Sequence, residues 1–313
     1  MSNIERSLKR ANRLIENGEY YEANQALRSV GTRLAKAGDV DAACSLMYEG
    51  AQALLKAKQG GSGTDLGKFM IELEEKSNKN MSSASRGRIV QLLSLYEPTE
   101  PTRKDLINEA ISWSRKSSPL GDADLYHAIG EILLNEGNVI EAERYLLQGT
   151  KSSAEILINT LFALCDLSSN KDAAQYLLRL VVGFMSVGKV EYAKMAVDKF
   201  TSALTFPQTV ETSLNGQKVV VYVDPEVELL QFVQLQVLSA PYQDPDMYKR
   251  LLTRYRQSID AVEGLGKAVQ VIGERVFKVA KPSNPLMDMM GSLFGGSSEP
   301  RSSGNQLQSA SLD

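Results

Sequence analysis

The sequence has 313 residues, a formal net charge of -3 and a pI of about 5.5. This balance argues against nucleic acid as a partner, because a duplex-binding protein needs surplus positive charge to neutralise phosphates. Two cysteines and one histidine are too few for a disulfide framework or a four-ligand zinc site. No apolar run approaches the ~18 residues of a membrane span, and no apolar signal segment opens the chain. We therefore expect a cytosolic protein without stable membrane anchoring.

Apolar residues recur at helical spacing along nearly the whole chain, which predicts a succession of amphipathic helices. The run Gly-Gly-Ser-Gly at 60–63 predicts a flexible loop between two of them. The predicted helices cover residues 3–17, 19–37, 39–58, 64–78, 82–96, 101–116, 122–136, 138–150, 152–166, 170–186, 188–203, 225–239, 245–258 and 260–279.

A short motif marks several helix junctions: a glycine, a polar residue, a large residue, any residue, an acidic residue and alanine. It starts at Gly18 and Gly137, and close variants with the acidic residue one position earlier start at Gly38 and Gly188. Glycine suits the left-handed turn that ends a helix. The acidic residue suits the positive first turn of the next helix, and alanine permits close packing. The irregular spacing indicates a degenerate solenoid of helical pairs rather than a strict 34-residue array.

One stretch departs from the helical pattern. Residues 210–214 and 218–223 are β-prone and flank Asn215-Gly216, the strongest short-range signal for a hairpin. The helix that follows, at 225–239, is apolar on most sides and is expected to be deeply buried or covered by a partner. The predicted fold class is thus an all-α superhelical solenoid of antiparallel, tetratricopeptide-like hairpins, with one β-hairpin inserted at about 209–223.

No arrangement of residues indicates catalysis. His127 lies inside a helix without a nearby nucleophile, and Cys44 and Cys165 lie in apolar helical contexts. We interpret all three as structural residues. The sequence predicts neither an enzyme nor a bound cofactor or metal.

Two surfaces are candidates for binding other proteins. Near the N-terminus, the acidic run Glu72, Glu74 and Glu75 is either a solvated face or a patch for a basic partner. Tyr21, Asn24 and Arg28 are the best surface residues on the second helix. Near the C-terminus, the hairpin and the 225–239 helix are either a decoration that plugs the solenoid or a docking platform. The short apolar segment 286–294 is a further docking candidate, and disorder is expected at 297–313.

Several stretches, taken in order, resemble the guided-entry-of-tail-anchored-proteins factor four family, most closely its fungal members. They extend from residue 18 to residue 296. They are Gly18-Glu19-Tyr20-Tyr21-Glu22-Ala23 with Leu27-Arg28, the run 56–66, Tyr96-Glu97-Pro98-Thr99-Glu100-Pro101, Leu125-Tyr126-His127, Glu141-Ala142-Glu143-Arg144-Tyr145, and the run 288–296.

The resemblance implies a scaffold that promotes insertion of tail-anchored proteins into the endoplasmic reticulum. An N-terminal half, 1–150, would dock the dimeric targeting ATPase and restrain its hydrolysis. A C-terminal half, 151–296, would hold a ubiquitin-like adaptor of the guided-entry factor five type, which recruits chaperones carrying the client. By family position Glu75 is expected to contact the ATPase, whereas Asn24 replaces a histidine common there. The adaptor-binding candidates are Val219, Val221, Tyr222, Leu230, Phe232 and Val233.

Two alternatives remain open at this stage. One is a helical-repeat subunit of another large cytosolic assembly, such as a proteasome-lid-like complex. The other is a helical hydrolase, for which the sequence supplies no set of nucleophile, base and orienting group.

Overall fold

The computed structural model describes residues 3–165, 170–203, 209–214, 217–222 and 228–280. A single turn of 3-10 helix, Ala240–Tyr242, follows α12. In chain order the elements are α1 (Asn3–Glu16), α2 (Tyr20–Lys36), α3 (Val40–Lys56), α4 (Gly60–Lys76), α5 (Ser83–Leu93), α6 (Arg103–Ser117), α7 (Ala123–Asn135), α8 (Val139–Leu146), α9 (Lys151–Leu164), α10 (Asn170–Ser186), α11 (Val190–Ala203), β1 (Thr209–Leu214), β2 (Gln217–Tyr222), α12 (Glu228–Ser239), α13 (Pro245–Arg254), α14 (Arg256–Asp260) and α15 (Leu265–Arg275).

Helices that are neighbours in sequence are also neighbours in space. Most helices contact the next helix, and several also contact the next but one, as α1 does with α3 and α2 with α4. A single apolar core runs through the stack from Ala11 to Phe277. This arrangement is the solenoid-like architecture that the repeated amphipathic pattern predicts.

The repeated junction motif behaves as predicted. Gly18, Gly38, Gly137 and Gly188 adopt φ values of +81°, +87°, +79° and +81°, in the left-handed region that glycine tolerates best. Each motif places its acidic residue in the first turn of the following helix. The four motif alanines are completely buried. The motif is therefore a working helix–turn–helix joint.

The predicted fold class needs a correction, because it gave an inserted β-hairpin a place in the architecture. The part of the chain that the structure describes is an all-helical, solenoid-like fold of 15 α-helices. The extended segments β1 and β2 pair antiparallel only with each other, from Thr209–Tyr222 to Leu214–Gln217. A lone pair of strands buries too little apolar surface to form a layer of its own. The helices alone therefore define the fold class.

The glycine-rich run at 60–63 is not the flexible loop that its composition predicts, because α4 begins at Gly60. A Cβ on Gly60 would lie 2.2 Å from Cδ of Glu100, and one on Gly63 would lie 2.5 Å from Cγ of Leu55. The missing side chains let the Glu100 carboxylate reach the helix N-terminus, where negative charge is favourable. They also let α4 pack closely on α3.

Several predicted helix bounds also change. The helix predicted at 260–279 spans only Leu265–Arg275, whereas the one predicted at 225–239 is seen over Glu228–Ser239, its first three positions lying outside the described residues. The single helix predicted at 245–258 is divided at Tyr255 into α13 and α14. The predicted deep burial of α12 is confirmed, since Leu230, Phe232, Val233 and Val237 all lie in the core.

Candidate partner-binding surfaces

A polar network joins α2 to α4 near the N-terminal end of the stack. Arg28 Nη1 lies 2.7 Å from Asp65 Oδ1. Asn24 Nδ2 donates to Asp65 Oδ2 at 3.0 Å and to the carbonyl oxygen of Ser62 at 3.2 Å. The Arg28 guanidinium also stacks 4.5 Å from the centre of the Phe69 ring. The ion pair and the ring together hold Arg28 in one orientation.

Tyr21 lies on the same side of α2 as this network, since residues 21, 24 and 28 follow helical i, i+3, i+7 spacing. Its side chain is 70% exposed, as predicted for a surface residue. Asn24, in contrast, is only 5% exposed, which corrects its placement on the surface. Its buried side-chain amide instead donates to the Asp65 carboxylate and holds it in position.

The acidic residues of α4 do not form one contiguous patch. Glu72 pairs with Lys76 on the exposed side of the helix. Glu75 Oε2 lies 2.8 Å from Lys116 Nζ on α6. Glu74 is only 7% exposed and accepts a hydrogen bond of 3.1 Å from Ser85 Oγ on α5.

Only Glu72 therefore lies with the α2–α4 network, because it follows Asp65 by two helical turns. We call Tyr21, Arg28, Asp65 and Glu72 the N-terminal face. The other predicted acidic residues, Glu74 and Glu75, serve contacts between α4 and the next two helices.

His127 has neighbours that resemble a catalytic set. Its Nδ1 lies 2.9 Å from Ser153 Oγ, and its Nε2 lies 3.3 Å from Glu131 Oε2. Ser153 is fully buried, however, and its Oγ accepts from the backbone N–H of Thr150 in the capping box of α9. A hydroxyl so enclosed is a helix cap and not an accessible nucleophile.

Three further features of the described residues bear on chemistry and placement: a buried thiol, possible metal ligands and possible membrane-spanning helices. Burial raises the pKa of Cys44 to about 11, so its thiol stays protonated at neutral pH. No cluster of metal-ligating side chains occurs among the residues that the structure describes. The described helices include none whose length and apolar content would allow it to cross a bilayer.

The predicted adaptor-binding residues fall into two groups. Leu230, Phe232 and Val233 of α12 are almost entirely buried, so they support the fold from within. The backbones of Val219, Val221 and Tyr222 lie in β2, but their side chains lie outside the described residues. The segment 286–294 and the tail 297–313 also lie outside them.

An apolar concavity lies between α12 and α13. Its volume is about 520 Å³. Asp244 caps α13 beside it, accepting from the backbone N–H groups of Asp246 and Met247. We call this the C-terminal groove, and it is lined by Leu235, Leu238, Ser239, Tyr242, Asp244, Met247, Arg250 and Leu251.

Sequence reasoning missed Asp65 of the N-terminal face and the buried Phe69, on which Arg28 stacks. It also missed Tyr242 and Arg250 in the C-terminal groove. Asp65 is 37 positions from Arg28, so no local pattern joins them. Tyr242 follows the end of α12 and is 54% exposed. An aromatic residue in the Ala-Pro-Tyr turn is the one signal that could have pointed to the groove.

Comparison with known proteins assigns this architecture to one family. The family model described as Golgi to ER traffic protein 4 matches residues 37–294. The Golgi to ER traffic protein 4 of Aspergillus fumigatus is 35% identical, over 95% of this chain and 92% of its own. That of Schizosaccharomyces pombe is 28% identical, over 92% of this chain and 94% of its own. A solved structure described as "Crystal structure of C. therm. Get4" matches with a TM-score of 0.73 and 32% identity, covering 98% of this chain and 100% of that one.

Proposed function

The chain belongs to the Golgi to ER traffic protein 4 family, and from this premise we propose that it is a cytosolic, non-enzymatic scaffold for the delivery of tail-anchored proteins. Its N-terminal half binds the targeting ATPase. Its C-terminal half binds the ubiquitin-like adaptor, through which chaperones present the client. The bridge promotes transfer of the client and its insertion into the endoplasmic reticulum.

The observation that carries this proposal is the presence of two unlike exposed surfaces on one continuous core. The N-terminal face is polar and built on α2 and α4. The C-terminal groove is apolar and built on α12 and α13. Surfaces of opposite character at separate places in a stack suit two different partners held at once.

The N-terminal face is suited to specific, reversible binding. Arg28 is fixed before any partner arrives by Asp65 and Phe69, which reduces the entropic cost of about 0.5–1.5 kcal/mol for each side chain immobilised on binding. Exposed Tyr21 adds a large contact surface beside it, and tyrosine and arginine are enriched among residues that dominate binding energy. A charged surface of this kind also accelerates association at low salt.

The C-terminal groove is suited to a more persistent partner. Leucines from two helices line it, and an apolar groove accepts the apolar face of a partner helix. Leu230, Phe232 and Val233 fix the position of α12 beneath it. Val219, Val221 and Tyr222 remain candidate adaptor contacts.

The test of the ATPase surface is the full chain carrying Arg28→Glu, titrated with the targeting ATPase. We expect affinity to fall by about tenfold or more, because a fixed arginine at a contact surface is lost and its charge reversed. The matched control is Arg33→Glu, an exposed arginine on α2 that lies about 140° around the helix from Arg28. We expect the control to change affinity by less than about twofold.

A charge swap separates recognition from folding. Arg28→Glu with Asp65→Arg restores the ion pair between α2 and α4 but inverts the charge pattern of the surface. Binding should stay weak in the swap, and adaptor binding should persist in every variant. Full recovery of ATPase binding in the swap would show that Arg28 acts only within the fold. Failure of the unmodified chain to hold both proteins together would refute the bridge.

A further inference from the structure

We propose that residues 286–294 of this chain bind in the C-terminal groove. If the groove also receives the adaptor, a point that rests on the proposed function, this segment regulates that site by competition. The proposal combines the shape of the groove, the pattern of the segment, the distance between them and their charges.

The groove presents apolar side chains that the described chain leaves uncovered. It is lined by Leu235 and Leu238 of α12 and by Met247 and Leu251 of α13, and Tyr242, which also lines it, is about half exposed. An apolar groove between two helices can accept the apolar face of a short amphipathic segment.

The segment has the complementary pattern. Leu286, Met289, Met290 and Leu293 follow i, i+3, i+4, i+7 spacing, which places four apolar side chains on one face of a two-turn helix. Methionine has an unbranched, adaptable side chain that fills irregular apolar spaces. Such a segment fits a groove lined by leucine and methionine.

The chain is long enough to reach the groove. The last described residue, Ala280, lies beside Tyr248 and Leu252 on one side of α13, and the C-terminal groove lies on the other side. Six residue steps separate Ala280 from Leu286 and span up to about 20 Å at 3.3–3.6 Å per residue. An α-helix with its side chains is only about 10–12 Å across, so the chain can pass over α13.

The charges are also complementary. Asp288 is the sole charged residue in 286–294, and Arg250 is exposed at the edge of the groove. Among the described residues no carboxylate lies within ion-pair distance of Arg250, although Asp244, which also lines the groove, interacts with it electrostatically. Pairing of Asp288 with Arg250 would fix the direction in which the segment lies.

The experiment joins the two sites by a disulfide in the full chain. Met247→Cys in the groove and Met290→Cys in the segment are combined and oxidised with oxidised glutathione, and the linked peptides are quantified by mass spectrometry. The native Cys44 and Cys165 are buried and do not compete. The matched control replaces Met247→Cys by Lys249→Cys, which lies on the side of α13 that also holds Ala280.

The control is stringent, because position 249 lies on the same side of α13 as Ala280. The connecting chain alone would therefore bring residue 290 to position 249 more readily than to position 247. We expect the link from position 247 to form at least about tenfold faster, as a bound segment has a high local concentration at the groove. Equal rates, or a faster link from position 249, overturn the proposal. So does a link from 247 whose rate rises with protein concentration, since that outcome assigns the groove to a second copy.

Two further experiments test the proposal independently: a charge exchange between positions 288 and 250, and a measurement of adaptor affinity. Asp288→Arg should slow the link about two- to fivefold, the range of an exposed ion pair, and Arg250→Asp in the same chain should restore it. The full chain with Leu286→Asp and Met290→Asp should bind the adaptor more tightly than the unmodified chain. Unchanged adaptor affinity beside a fast link would refute the adaptor's place in the groove but not the binding of the segment.

Discussion

The N-terminal and C-terminal parts of the stack pack by different means. In the N-terminal part, glycines let helices approach closely: a Cβ on Gly50 would lie 2.5 Å from Cδ1 of Leu27. In the C-terminal part, where Gly183 and Gly273 also admit close contacts, aromatic rings fill much of the space between helices. Tyr248 and Phe277 stack with ring centres 4.0 Å apart, and the buried Gln236 hydrogen-bonds to Tyr248.

This difference matches the two surfaces. Recognition through an ion pair needs the supporting helices fixed to about 0.5 Å, and close backbone packing of α2, α3 and α4 provides that precision for Arg28 and Asp65. An apolar groove tolerates small shifts, because methionine and leucine can repack. The helices around the C-terminal groove therefore rely on large side chains and a few buried hydrogen bonds.

The largest predicted loss of stability comes from Tyr248→Phe. Gln236 Nε2 donates to Tyr248 Oη at 2.9 Å, and that hydroxyl donates to the carbonyl oxygen of Val269 at 2.9 Å. Burial also raises the pKa of Tyr248. Losing the hydroxyl leaves the buried Gln236 amide unpaired, at roughly 1–3 kcal/mol, and removes a hydrogen bond to the Val269 carbonyl worth about 1 kcal/mol, so we expect a total loss of about 2–4 kcal/mol in urea unfolding.

The control for that prediction is Tyr21→Phe on the exposed surface of α2, expected to change stability by less than about 0.5 kcal/mol. Similar losses in the two variants would show that the buried hydrogen bonds do not distinguish this part of the stack.

A smaller loss is predicted for Gly63→Ala. The new methyl group would lie 2.5 Å from Cγ of Leu55, and overpacking of this kind costs about 1–3 kcal/mol. Gly61 lies in the same helical turn, and a Cβ there meets nothing within 4 Å. Gly61→Ala should therefore stabilise the protein by about 0.4–1 kcal/mol, because alanine restricts the unfolded chain. Thermal unfolding that shifts in the same direction for both would contradict the close-packing account.

Local sequence pattern was sufficient for the helices and their joints. The period of apolar residues and the glycine–acidic–alanine motif depend on neighbours within one or two turns, so they appear in the sequence itself. Where the sequence predicted the wrong local structure, a residue distant in sequence determines the structure that forms. The run at 60–63 has the composition of a loop, but it is helical where Glu100, about 40 positions away, meets its N-terminus.

The candidate surfaces follow the same division. Tyr21 could be placed on the surface from its position on α2 alone. Asn24 could not, because Asp65 on another helix draws its side chain inward. Glu74 lies in an acidic run typical of a solvated face, yet its partner Ser85 belongs to the following helix. Sequence therefore identified the helices that carry the surfaces, but not which of their side chains remain free for a partner.

The smallest predicted effect is the change that salt makes to the pKa of two carboxyl groups, one in the N-terminal part of the stack and one in the C-terminal part. The hydrogen bond and charge of Lys79 lower the pKa of Asp41 below its usual 3.8. Backbone N–H groups of Met247 and Asp246 do the same for Asp244. Each carboxylate therefore contributes stability above its unfolded-state pKa, and this is lost as pH falls through the lower folded-state value. Because salt at about 1 M shortens the screening length to roughly 3 Å, NMR titration should return the pKa of Asp41 toward 3.8 while that of Asp244 changes less. Equal pKa shifts in the two groups would show that charge interactions, rather than the local hydrogen bonds of a helix cap, determine the pKa at both positions.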